Sequence, residues 1–155
     1  METVNAPMEE IVPVLLTQME QGGTAWLVVT GSSMHPVFRN RKDRVGLCSV
    51  QDPIRGHPMV LYRRENGAYV LHRIVRHKKD GYLCCGDNQW QPEPVTRAQI
   101  LAQVTEFTRK GKTYTVNQWG YRCFVWLWCA ALPVRRPILA LRRLLGKLRR
   151  KIRRK

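Results

Sequence analysis

The sequence predicts a mainly β fold: one compact antiparallel β domain with an N-terminal helix before it and a basic amphipathic helix after it. Three observations predict this. Short strand-like runs follow one another at regular spacing with turn residues between them. Ahead of them, Met8, Ile11, Val12, Leu15 and Met19 recur at helical spacing. Beyond them, Ile138, Leu141, Leu144, Leu145, Leu148 and Ile152 share one helical face. The expected division is a helix over 1–23, a β domain over 24–118, and an apolar, Trp-rich segment with a basic tail over 119–155.

Each element has a local cause. Gly22-Gly23 stops the first helix, and Pro13 is expected to kink it or to mark its first turn. "AWLVVT" and "RVGLCSV" read as strands separated by a Ser/Pro loop. "PMVLYRR" and "AYVLHRIV" flank "ENG", whose Asn66-Gly67 pair is a hairpin signal. "YLCC" follows Asp80-Gly81, and "ILAQVTEF" and "KTYTV" flank Lys110-Gly111. Six or seven short strands between about Thr24 and Val116 give the β domain.

Composition narrows the class. The chain has 155 residues, 44% of them apolar, enough for one domain with a real core and too many for a disordered chain. Its net charge of +16 is uneven, since 11 Lys or Arg and no acid lie between Arg135 and Lys155. The charge therefore describes the tail. Cys48, Cys84, Cys85, Cys123 and Cys129 form no C-x-x-C pair and read as small buried residues of a reducing compartment, not a zinc site. Glu2, Glu9, Glu10 and Glu20 stand where a signal peptide would carry basic and apolar residues, so none is expected. The longest apolar run, Cys123 to Val134, would reach roughly 18 Å as a helix against a hydrocarbon core of roughly 30 Å.

The tail has three readings: a membrane-surface helix, a nucleic-acid arm, or a solvated or partner-binding helix. The regular leucines and the Trp-rich run upstream favour the membrane. The expected contacts are Trp126, Trp128, Leu141, Arg142, Arg143, Leu145, Lys147 and Leu148. The protein is then expected at a membrane, peripheral or interfacial through its C-terminus, with the side left open.

Chemistry is sought in "TGSSMHPVF", residues 30–38. A serine nucleophile needs a base, and usually a group that orients the base. Of the four histidines, His35 lies in the serine loop, His57 precedes a proline in a turn, and His77 sits in a basic run. His72 lies inside the strand "YVLHRIV", on the face of Val70 and Ile74, with Leu71, Arg73 and Val75 opposite. By itself that is the position of a satisfied core histidine. Asp87 in "CGDNQWQPEPV" is by itself a turn residue, but a carboxylate there could meet His72.

Together, "GSSMHP", "YVLHRIV" and "CGDN" resemble the signal peptidase clan, including its LexA-type relatives, in order and spacing over about Val28 to Val104. The resemblance implies a β-rich peptidase fold and makes Ser33, the serine before methionine, the nucleophile. It makes His72 the general base, as in the Ser-His branch that includes the endoplasmic-reticulum, archaeal and sporulation-type signal peptidases. Asp87 matches the acid that assists the base. Glu93 lies near where that branch has a second acid. Cleavage of an extended peptide after small residues is implied, with that peptide added to a sheet edge near the serine. No metal or organic cofactor is implied.

The sequence departs from the pattern in three places. Gly56-His57-Pro58 replaces a Gly-Asp pair common in relatives. Gly31 stands where many have a serine that helps hold the oxyanion, leaving the N–H of Ser33 and the hydroxyl of Ser32 for that work. The N-terminal helix is acidic where membrane relatives have an anchor. The resemblance thus leads to a serine endopeptidase acting on precursor proteins or leader peptides. A LexA-type domain that cleaves itself or a partner is the first alternative. A non-catalytic membrane- or nucleic-acid-binding protein on a degenerate peptidase fold is the second.

Overall fold

A computed structural model describes residues 6–152, with side chains described over 6–146. Helix α1 (Met8–Glu20) precedes strands β1 (Ala25–Val28), β2 (Arg44–Cys48), β3 (Met59–Arg63), β4 (Tyr69–Lys78) and β5 (Gly81–Cys85). Then come β6 (Glu93–Val95), β7 (Ile100–Arg109), β8 (Lys112–Thr115), α2 (Trp119–Ala130) and α3 (Arg135–Ile152). The mainly β architecture and both terminal helical regions are as the sequence predicts. Pro13 sits inside α1 on its exposed side and does not mark the first turn.

The strands form an eight-stranded antiparallel sheet in the order β1-β2-β7-β3-β4-β5-β6, with β8 paired to β7. Long β7 holds it together: β2 lies along one edge, and β3 and β8 share the other. The Asn66-Gly67 turn closes the β3–β4 hairpin, with Arg64 N–H bonded to Ala68 O at 2.9 Å. The sequence reading has no counterpart for β6. Its "EPV" contains Pro94, which argues against a strand, yet β6 is the sheet's outermost strand, where a missing N–H is tolerated.

Alternation along β3 divides the core. Met59 and Leu61 point into a cluster with Val45, Leu47, Val104 and Phe107, closed by Val12, Leu15 and Met19 of α1. Val60 and Tyr62 point the other way, into a second cluster with Ile54, Ile74, Cys84, Val95 and Ile100. Both faces are covered, so Met59 to Tyr62 are all buried. A third cluster docks α2 through Val125 and Cys129 against Val75 and Cys85.

Candidate active site

The loop between β1 and β2 holds the two serines. Met34, Val37 and Phe38 anchor it in the first core cluster, leaving Ser32 exposed and Ser33 half-buried. The loop winds into turns, with His35 N–H on Ser32 O at 3.2 Å and Phe38 N–H on Met34 O at 3.0 Å. Gly31 enters it at φ +83°, its N–H on Asn40 Oδ1 at 2.9 Å. A serine at that position would carry left-handed backbone strain, which accounts for one departure from the family pattern. The N–H groups of Ser32, Ser33 and Met34 donate to no acceptor among the described residues. Such free donors at a turn beside a nucleophile can receive a developing oxyanion.

The turn leaving β5 straps this loop down. Asn88 N–H bonds Ser33 O at 2.7 Å, and Asn88 Nδ2 bonds Ser32 O at 3.1 Å. A Cβ on Gly86 would stand 2.7 Å from Ser33 O, so only glycine allows the approach. Cys85, just before Gly86, pairs with Arg73 of β4, the neighbour of His72.

His72 is buried on the second-cluster side of β4, opposite Val60 of β3. Its Nδ1 lies 3.1 Å from the hydroxyl of fully buried Tyr62 and 3.4 Å from Glu93 Oε1. The Tyr62 hydroxyl donates to Glu93, and Arg64 grips that carboxylate with Nε on Oε2 at 2.8 Å and Nη2 on Oε1 at 2.7 Å. A carboxylate only accepts, so the one Tyr62 proton is committed to Glu93. Nδ1 of His72 must then be the donor to Tyr62. The remaining lone pair is on Nε2, which takes part in no hydrogen bond among the described residues.

Burial also decides the charge of His72. Burial pulls His72 below the ordinary imidazole value, and Glu93 only partly offsets it, so the ring is neutral at neutral pH. Burial works to raise Glu93, but the bonds from Arg64 and Tyr62 outweigh it and leave the carboxyl below its usual range. Tyr62 is pushed up, by burial and by its bond to Glu93, and keeps its proton. Burial pushes Cys84 up to about 12 and Cys85 up to about 11, so neither thiol competes as a nucleophile.

The structure gives Asp87 a hydrogen-bonding partner other than His72. Its carboxylate binds Arg73 through Nε–Oδ1 at 2.9 Å and Nη2–Oδ2 at 2.8 Å, with both side chains fully buried. Successive residues of a strand point to opposite faces, and Asp87 bonds Arg73, the neighbour of His72, with no hydrogen bond to His72 among the described residues. The acid beside the histidine is Glu93. Arg73 also bonds the Tyr121 hydroxyl of α2 at 3.1 Å and the carbonyl of His57 at 3.1 Å. His57 in turn places Nδ1 3.0 Å from Ile74 O. That gives the Gly56-His57-Pro58 segment a structural role. Among the described residues, no hydrogen bond joins Ser33 to His72; the serine loop is held instead by Asn88.

Sequence reasoning missed Tyr62 and Arg64. The available signal was hairpin register, which places Tyr62 opposite Val70, two residues from His72 on the same face.

The C-terminal residues divide. Trp126, Leu141 and Leu145 are exposed. Trp128 is not free for a membrane, because it stacks on Phe124 and lies 4.7 Å under the Arg135 guanidinium, which also donates to its carbonyl. Arg142 is turned inward and donates to His35, and Arg143 lies 5.7 Å over the ring of Trp90. The side chains of Lys147 and Leu148 lie outside the described residues. No single described helix is long and apolar enough to cross a membrane, though Trp119–Ala130 and Leu132–Gly146, bent by 62° at the break between them, are together of sufficient length and apolar composition.

The family model described as Peptidase S24-like matches residues 2–105, which include Ser33, His72, Asp87 and Glu93 and exclude α2 and α3. No curated protein matches the chain.

Proposed function

The chain belongs to the Peptidase S24-like family, and from that premise we propose a serine endopeptidase of signal-peptidase type that cleaves precursor proteins or leader peptides after small residues. One observation carries the reading: the line from His72 through Tyr62 to Glu93 and Arg64 assigns the proton to Nδ1 and so leaves the lone pair on Nε2. In the proposed reaction, Ser33 Oγ attacks the scissile carbonyl and its proton passes to His72 Nε2. The resulting oxyanion is received by the N–H groups of the serine loop. Collapse breaks the C–N bond, and His72 returns the proton to the leaving amine. Water, deprotonated by the same nitrogen, then releases the acyl group and restores Ser33. The imidazolium formed on the way is favoured by Glu93.

A substrate in extended form has an edge to join. β1 is a terminal strand of the sheet, and the chain runs from it directly into the serine loop. Main-chain pairing there would present the scissile bond toward Ser33.

The test incubates purified protein with a library of extended peptides, and mass spectrometry reads the cleavage sites. Products ending in small residues, absent with Ser33→Ala, are expected. Cleavage that survives Ser33→Ala, or no cleavage and no labelling of Ser33 by a fluorophosphonate, ends the reading. Incubating the chain alone separates it from the self-cleaving alternative.

A further inference from the structure

The basic helix α3 carries two separate stripes. Arg135, Leu139 and Arg142, at i, i+4 and i+7, face the body: Arg135 and Leu139 are buried, and Arg142 holds His35, two residues beyond Ser33. Next to this stripe, Arg143 lies over Trp90, three residues beyond Asp87. The second stripe is apolar and open, with Leu141 57% exposed and Ile138, Leu144 and Leu145 also exposed. Trp126 and Leu127 of α2 are exposed as well, Trp126 being 65% exposed. Exposed apolar surface of this extent asks for a partner.

We infer that this surface, the open stripe of α3 with Trp126 and Leu127, docks on an anionic lipid bilayer while the other stripe of α3 stays on the two loops of the active site. Charge selects the partner: residues 135–155 hold 11 Lys or Arg and no acid. Leucines rimmed by guanidinium and ammonium groups suit an interface of apolar chains under anionic headgroups. A second copy of the chain would bring the same positive charge to the contact and be repelled. A nucleic acid would satisfy the charge but leave the leucines and Trp126 in water. Docking by the open stripe does not compete with the Arg142–His35 or Arg143–Trp90 contacts. It holds the serine loop and the Gly86–Asn88 turn within roughly one helix diameter, 10–12 Å, of the lipid surface.

Co-sedimentation tests the surface. The full chain is mixed with phosphatidylcholine vesicles with and without phosphatidylglycerol. The expected result is pelleting with the anionic vesicles only. Leu141→Glu/Leu145→Glu should remain in the supernatant with an unchanged melting temperature and unchanged cleavage of a short soluble peptide. Equal pelleting of the wild type and the double variant overturns the inference. So does duplex DNA binding tighter than vesicle binding, or a stable dimer that the double variant splits.

A second arm rests on the peptidase reading. The same peptide is offered free and lipid-anchored on the vesicles, and the anchored form should be cleaved faster by the wild type only. Vesicle binding with no cleavage of either form would sink the peptidase reading and leave the docking surface standing. Equal rates for both forms with bound enzyme would overturn the placement of the active site at the lipid.

Discussion

The hydroxyl of Tyr62 lies 3.1 Å from Nδ1 of His72 and gives its own proton to Glu93. A tyrosine thus stands between the histidine and the acid, and its single proton decides the histidine tautomer. Arg64 holds the far side of Glu93 with two bonds, so the carboxylate cannot turn away. The buried part of this line is Tyr62 and His72. The Glu93–Arg64 end is 31% and 40% exposed, so it orients the buried pair more than it stabilises the fold.

Tyr62→Phe removes the bridge with little change in volume. A hydrogen bond to a charged group contributes about 1.5–3 kcal/mol, so kcat should fall about 10- to 100-fold while KM holds. Nitrogen NMR of the imidazole should show the Nδ1–H preference lost. An unchanged tautomer and unchanged kcat would reduce Tyr62 to a core residue.

The pH profile follows from the same line. Burial lowers His72 below its ordinary value of about 6.5. The acid limb of kcat/KM should therefore have its midpoint below that value and a plateau through neutrality. Glu93 raises His72 and Arg64 lowers it, so Glu93→Gln should move the limb to lower pH and Arg64→Gln to higher pH. The stability sign is the same as for any depressed group. His72 contributes stability above its unfolded pKa, and that stability is lost as pH falls through the folded one. A wild-type midpoint above 7, or both variants moving the same way, would contradict the assignment.

The fold was legible where periodicity carried it. Val70, His72 and Ile74 alternate with Leu71 and Arg73, and the sheet keeps that alternation. β6 was hidden because Pro94 hides a strand that only an edge permits. Within the candidate site, Ser33 and His72 could be named from motifs. The partner acid could not, because Asp87 and Glu93 are both downstream and the choice depends on which face of β4 each reaches. Tyr62 and Arg64 come from another strand, and only register brings them to His72. The packing of Trp128 was not legible, because it depends on the break at Leu132–Val134 that lets Arg135 fold back onto it.

The serine loop makes a paired prediction. Ser33→Ala should lower kcat/KM by at least about 10³-fold with the fold intact. Ser32→Ala, which keeps every backbone N–H, should cost about tenfold or less. Gly31→Ser restores the residue found in many relatives, but at φ +83°. It should destabilise by about 1–2 kcal/mol and not raise activity. A faster Gly31→Ser enzyme would mean that the oxyanion site lacks the donors assigned to it.

The last prediction separates structure from chemistry at Asp87. Its carboxylate is the only acid bonded to Arg73 among the described residues, and both are fully buried. Arg73 also ties β4 to α2 through Tyr121 and to the segment before β3 through His57. Asp87→Ala leaves that guanidinium charged and unpaired, at a cost of about 3–5 kcal/mol. This is a large share of a stability of about 5–15 kcal/mol. Denaturant melts should show it directly. Replacing both partners with apolar residues, Arg73→Met with Asp87→Leu, should recover much of the loss, because no buried charge remains. A catalytic Asp87 would behave differently: the double variant would be folded but inactive. On the structural assignment it keeps measurable peptidase activity. Its acid limb should move less than that of Glu93→Gln, because Glu93 acts on His72 more strongly than Asp87 does.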